Sequence, residues 1–206
     1  MSEQVELGSD AVLVIDTAGR ACQVGIFVDG AARCERTVEM VHGHAEALLP
    51  LVQAVVTEAG VRFAEVGAVV VTAGPGSFTG LRVGLAAAHG VGLACDCPVV
   101  AVSSFAAWAM AADGPARVAL DSRRGDAFVQ EFDAGGAALG QAEIRPLEVA
   151  LAPDNGFSVV GDLVGGVAPG LAAVFRAACD PAHRCAPVPQ YLRDADAVPQ
   201  AAPKCK

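Results

Sequence analysis

Val66-Gly-Ala-Val-Val-Val71 runs directly into Thr72-Ala-Gly-Pro-Gly-Ser-Phe-Thr-Gly-Leu-Arg82. The first piece is a continuous apolar run without alternation, the pattern of a strand covered on both faces of its sheet. The second is a glycine-rich turn, and from Gly80 to Ala94 the spacing becomes helical. A doubly covered strand leading through a tight turn into a helix predicts an α/β fold.

Upstream, Ala11-Val-Leu-Val-Ile-Asp16, Cys22-Gln-Val-Gly-Ile-Phe-Val28 and an alternating stretch to Met40 are joined through the turn Asp29-Gly30. They read as a β-meander. A helix over Ala45 to Ala59 follows, with Pro50 expected to kink it or displace its start. Downstream come strand Val99 to Val102, helix Ser103 to Ala112, strand Arg117 to Leu120 and strand Arg124 to Phe132. Weaker strands fall near Gln141 to Arg145 and Phe157 to Val160, with a helix over Leu171 to Cys179. The last 26 residues hold Pro181, Pro187, Pro189, Pro199 and Pro203 and are expected to be mostly irregular. A meander followed by alternating helices and strands is the layout of one actin-like (ASKHA) half. Two lobes are therefore expected: residues 1–112, and a shortened C-terminal lobe, 113–206, with a proline-rich tail.

The chain has 206 residues, enough for a real core. Its most apolar stretch, Leu81 to Ala112, is interrupted by His89, Asp96, Pro98 and Ser103 before about 18 clean residues accumulate, so no membrane span is expected. The acidic start, with no basic or apolar leader, and seven cysteines without framework spacing suit the reducing cytoplasm. A balance of 14 Lys+Arg against 23 Asp+Glu gives a net charge of −9, the wrong sign for gripping phosphates unaided. Any RNA is expected to be held mainly by a partner.

Several groupings invite chemistry. The turn Gly74 to Gly80 can present backbone N–H groups at a helix start to a phosphate or carboxylate, or it can be a tight turn in which Ser77 or Thr79 caps the helix. It lacks the Lys-Ser/Thr of a P-loop and the flanking glycines of a nucleophile elbow. Asp16-Thr17 at the end of the first strand is either a phosphate-facing pair or a turn start. Candidate anion or nucleotide contacts are thus Asp16, Thr17, Gly74, Gly76, Ser77, Thr79 and Gly80. A triad of Ser77, His89 and an Asp fails, because His89 lies about 14 Å of axial rise beyond the helix start. His42-x-His44-x-Glu46 reads as a cap or surface group rather than a metal site, and Cys95-Asp96-Cys97 as helix-end cysteines. In Asp121-Ser-Arg-Arg-Gly125 the arginines can reach a phosphate, though solvation is favoured. Gly80, Gly84, Ala88 and Gly92 form a stripe of small residues costing about 1 kcal/mol per glycine, which implies a close neighbour, from this chain or another.

Taken together, Val12-Leu-Val-Ile-Asp-Thr17, His44 with Leu48-Leu-Pro50, Gly74-Pro-Gly-Ser-Phe-Thr-Gly-Leu-Arg82 and Val102-Ser-Ser104 resemble the TsaB family over residues 11 to about 132. Pro189-Gln-Tyr-Leu-Arg193 is similar to that family's closing motif. The resemblance implies a degenerate actin-like subunit that supports a catalytic TsaD-type paralogue in threonylcarbamoyl transfer to an adenosine of tRNA. It further implies a TsaE-type ATPase as partner, tRNA held mainly by the paralogue, ATP or ADP at the paralogue interface, and a homodimer when alone. Ser104 and Trp108 stand where the paralogue's metal-binding histidines would be, so no catalytic residue, metal or cofactor is assigned to this chain alone. Pairing through the first two helices, as the resemblance implies, assigns the interface to Leu48, Leu51, Val52, Val55, Val56, Gly80, Gly84, Ala88 and Gly92. The alternatives are an actin-like ATP hydrolase or a metallopeptidase acting alone.

Overall fold

The computed structural model describes Leu7 and residues 10–153 and 156–193. Strands β1 (Ala11–Asp16), β2 (Ala21–Val28) and β3 (Ala31–Glu39) form the antiparallel meander. Asp29 and Gly30, at φ 51° and 77°, make the β2–β3 turn, the two-residue geometry whose twist suits a hairpin. Helix α1 (His44–Glu58) leads to β4 (Val66–Gly74), α2 (Phe78–Cys95), β5 (Val99–Ser103) and α3 (Ser104–Met110). Next come β6 (Ala116–Asp121), β7 (Asp126–Phe132), β8 (Glu143–Pro146), the single turn α4 (Leu147–Ala150) and β9 (Ser158–Val160). The described chain finishes with α5 (Leu171–Cys179) and the two-residue β10 (Arg184–Cys185).

The first sheet has the order β10-β5-β4-β1-β2-β3, with β4 parallel to both β1 and β5. The second has the order β8-β7-β6-β9. A meander extended by parallel strands with helices on both sides is the actin-like fold, here with a smaller second sheet. The lobe division we propose at residue 112 is crossed later in the chain. β10 pairs with β5, and α5 packs on the first sheet, where Phe175 stacks on Phe27 with ring centroids 4.7 Å apart.

Alternation along the strands explains the two-sided core. Leu13, Ile15, Val69 and Val71 face α1 and α2, while Val12, Val14, Val70 and Val102 face α3 and α5. From α1, Leu48, Val52, Val55 and Val56 are buried against the sheet, at about 1.5–3 kcal/mol per side chain. That burial holds α1 despite Pro50, which lies inside the helix and is exposed. The carbonyl the proline leaves unbonded belongs to Glu46, an exposed residue, so water can take it. Helix α2 is long and apolar enough in composition to cross a membrane, yet Leu81, Leu85, Ala88 and Val91 are buried in the fold. Strand β7 starts at Asp126 rather than Arg124 because Arg123 is left-handed, φ 65°, with its N–H donated to the Asp121 carboxylate at 2.8 Å.

Candidate functional site

Two depressions flank α2. The first lies at the carboxyl ends of β1 and β4, the place where open α/β sheets hold ligands. Asp16 ends β1 there, buried, and both its oxygens are taken. Oδ1 accepts from the Ala18 N–H at 3.0 Å and the Thr72 hydroxyl at 2.6 Å, and Oδ2 accepts from Gln23 Nε2 at 3.1 Å. Gln23 Oε1 in turn accepts from the Thr37 hydroxyl at 3.1 Å. The carboxylate therefore ties β2, β4 and the loop after β1 together, and through Gln23 reaches β3, while still lining the cleft.

The loop after β1 closes over the glycine-rich turn. Thr17 donates its hydroxyl to the Gly80 carbonyl at 2.7 Å, and Ser77 donates its N–H to the Ala18 carbonyl at 2.7 Å. A Cβ on Gly76 would sit 2.5 Å from the Ala18 carbonyl oxygen, and one on Gly80 would sit 2.1 Å from that of Thr17. The capping expected of the turn is present. Ser77 is the N-cap of α2, its hydroxyl accepting the Gly80 N–H at 3.2 Å. Gly74, at φ 115°, is buried, while Gly76 and Thr79 are exposed. The remaining space is about 20 Å³, walled by Trp108, Leu120, Val167, Asp121 and Asp162. One water needs about 10–15 Å³, whereas small-molecule sites have roughly 300 Å³ or more. Burial pushes the Asp162 carboxyl above its ordinary value, although one oxygen accepts the Asp121 N–H at 2.8 Å. Ser104 Oγ, in the same wall, is buried without a partner among the described residues.

The second depression is an apolar groove of about 690 Å³ between α1 and α2, lined by Ala45, Leu48, Leu49, Phe63, Val83, Ala86, Ala87, Gly90, Val91, Ala94 and Cys95. Leu49 is 59% exposed there, a large apolar side chain without cover. Most of the residues assigned to the interface from sequence are buried within this chain, Leu48 alone of them lining the groove. Leu48, Val52, Val55 and Val56 are covered by this chain's own sheet, and Leu51 is half-buried against the same cluster. The stripe Gly80, Gly84, Ala88 and Gly92 also points inward. A Cβ on Gly84 would meet Thr17 Oγ1 at 2.3 Å, and one on Gly92 would meet Val99 Cγ2 at 2.7 Å. The close neighbour that the stripe demanded is thus the β1 loop and β5, not a second helix. The outward stripe is Ala86, Gly90 and Ala94, spaced at i, i+4, i+8, all exposed and all lining the groove. Its spacing was readable in the sequence; only the side on which the sheet lies was not.

The other sequence candidates do not converge. His44 is buried with Nε2 unpartnered among the described residues, and His42 and Glu46 are exposed. Among the described residues, no three His, Cys, Asp or Glu side chains come together as a metal would require. Burial pushes the Cys95 and Cys97 thiols up, which suits inert helix-end cysteines. A contact that sequence reasoning missed joins the closing motif to the turn. The Gln190 N–H bonds the Ala73 carbonyl at 2.8 Å, Arg82 Nε bonds the Tyr191 hydroxyl at 3.0 Å, and Arg193 pairs with Asp126. Cys205, Pro199 and Pro203 lie outside the described residues.

Comparison with known proteins adds to this geometry. The family described as TsaD, tRNA N6-adenosine threonylcarbamoyltransferase, matches residues 39–156. The tRNA threonylcarbamoyladenosine biosynthesis protein TsaB of Escherichia coli is 34% identical over 131 residues, 59% of this chain. That match spans about half of the relative, 54% of its length. An uncharacterized protein of Mycobacterium tuberculosis is 37% identical over 201 residues, covering 92% of this chain and 95% of the relative. Among solved structures, YeaZ from Pseudomonas aeruginosa superposes with a TM-score of 0.75 over 89% of this chain and 100% of its own, at 23% identity, a likeness of fold.

Proposed function

The chain belongs to the TsaB family, and on that premise we propose that it is a non-catalytic subunit in the formation of threonylcarbamoyladenosine on tRNA, docking a TsaD-type enzyme in the α1–α2 groove. The observation that carries this reading is the contrast on α2: the face toward β1 is closed, while the Ala86–Gly90–Ala94 face and Leu49 are open. Small residues let a partner helix approach closely, and the apolar floor would leave water on docking, at about 25 cal/mol per Å² buried. The enzyme's own helices are the fitting occupant, because a paralogue would present a related pair. A second copy of this chain would use the same groove when the enzyme is absent.

In this role the chain supplies a docking surface and leaves the transfer chemistry to its partner. A cleft of about 20 Å³, with both oxygens of Asp16 already accepting hydrogen bonds within the chain, speaks against an ATP hydrolase acting alone. The lack of a metal-binding trio among the described residues gives a metallopeptidase no support. ATP or ADP belongs, in this reading, at the interface with the paralogue, a TsaE-type ATPase acts on the assembled pair, and the −9 charge leaves tRNA mainly to the partner. The place of action is where tRNA is modified, the cytoplasm. Threonylcarbamoyl transfer to tRNA, reconstituted with this chain included or omitted, tests the proposal. Omission should reduce the rate at least tenfold, and an unchanged rate would overturn it.

A further inference from the structure

The closing motif leaves an unusual surface at the start of α2. Phe78 and Tyr191, 55% and 46% exposed, stack with ring centroids 5.6 Å apart. The Arg82 guanidinium lies 3.7 Å from the Phe78 ring centroid and 5.9 Å from that of Tyr191. Its Nε–H on the Tyr191 hydroxyl fixes the layer. Among the described residues Arg82 has no carboxylate partner, although acidic residues outnumber basic ones in the chain by nine. The layer is also stiff, because its two rings come from elements far apart in sequence, α2 and a segment tied to β4 by the Gln190 N–H and to β7 by Arg193.

Were the rings there only to fasten the C-terminal segment, the burial that gives an aromatic pair most of its stabilisation would be expected, yet about half of each ring is left to solvent. A planar cation without a carboxylate partner, lying over one of two exposed rings that stack on each other, is suited to an unpaired nucleotide, whose base stacks and whose phosphate meets the guanidinium. We propose that Phe78, Arg82 and Tyr191 form a contact for an unpaired base of RNA, so that this chain touches the tRNA directly while its partner carries most of the charge. The choice of RNA rests on the tRNA-modification reading; the surface itself does not depend on the groove.

The test is ultraviolet crosslinking of in vitro transcribed tRNA to this chain, alone and with the TsaD-type enzyme, together with the tRNA Kd of the pair. Crosslinks should map to the peptides carrying Phe78 and Tyr191. Phe78→Leu or Tyr191→Leu should weaken the tRNA Kd about fivefold or more, the range of one lost stacking contact. Tyr191→Phe, which keeps the ring and loses the hydroxyl, should stay within about twofold, an outcome that separates stacking from mere fastening of the segment. Association with the enzyme, measured on the same variants, should not change, so a failed groove and a failed RNA contact give different results. An unchanged tRNA Kd in folded Phe78→Leu and Tyr191→Leu would overturn the proposal. So would crosslinks confined to other peptides, or binding of free ATP at these residues without tRNA.

Discussion

The cleft beside Asp16 and the groove between α1 and α2 flank the same helix, yet one offers about 20 Å³ and the other about 690 Å³. The polar side of α2 is closed by its own chain: Asp16 is bonded by Thr72, Ala18 and Gln23, and Thr17 is bonded to the Gly80 carbonyl. The apolar side is left uncovered, with Leu49 and the Ala86–Gly90–Ala94 stripe facing water. On the proposed reading, an actin-like fold with a small cleft beside Asp16 and an exposed apolar shelf serves as a docking surface for a protein partner.

The contrast can be broken most sharply at the glycines. Gly84→Ala would push a Cβ to 2.3 Å from Thr17 Oγ1 and should cost about 3 kcal/mol in a denaturant melt. A wild-type midpoint would mean that the inward face is not packed as described. Asp16→Asn should come next, losing about 2 kcal/mol, because the amide nitrogen must face either the Gln23 donor or the Thr72 and Ala18 donors. Gly90→Ala should do the reverse. A Cβ there meets nothing within 4 Å, so the helix gains up to about 1 kcal/mol, read as a raised melting temperature.

The smallest effect concerns pH. Burial raises the Cys22 thiol from an ordinary 9.0 to about 11, with a further push from Asp16, and burial alone does the same for Cys185. Unfolded thiols ionise first, so this contribution is fully present below pH 9 and is lost as pH rises from 9 to 11. Melts across that window should show a decline that Cys22→Ala and Cys185→Ala each lessen.

Much of this was legible in the sequence, for identifiable reasons. The uninterrupted run Val66 to Val71 announced a strand covered on both faces, and it is the strand between β1 and β5 with helices on either side. The stripe Gly80 to Gly92 correctly signalled a close neighbour. Its identity was hidden, because Thr17 is 63 residues from Gly80 and helical spacing does not say which side the sheet takes. The Arg82–Tyr191 contact was hidden for the same reason: it joins positions 109 residues apart, and no local pattern encodes it. The closing motif could be recognised as a string while its purpose at the turn could not.

The most direct test of the proposed docking surface is the equilibrium Kd between this chain and a TsaD-type enzyme, measured for Gly90→Arg beside Leu93→Arg. Leu93 lies on the same helix, 87% exposed, but does not line the groove. If the groove holds the enzyme, folded Gly90→Arg binds at least tenfold more weakly, about 1.4 kcal/mol, while Leu93→Arg stays near wild type. Undiminished binding by Gly90→Arg would contradict it.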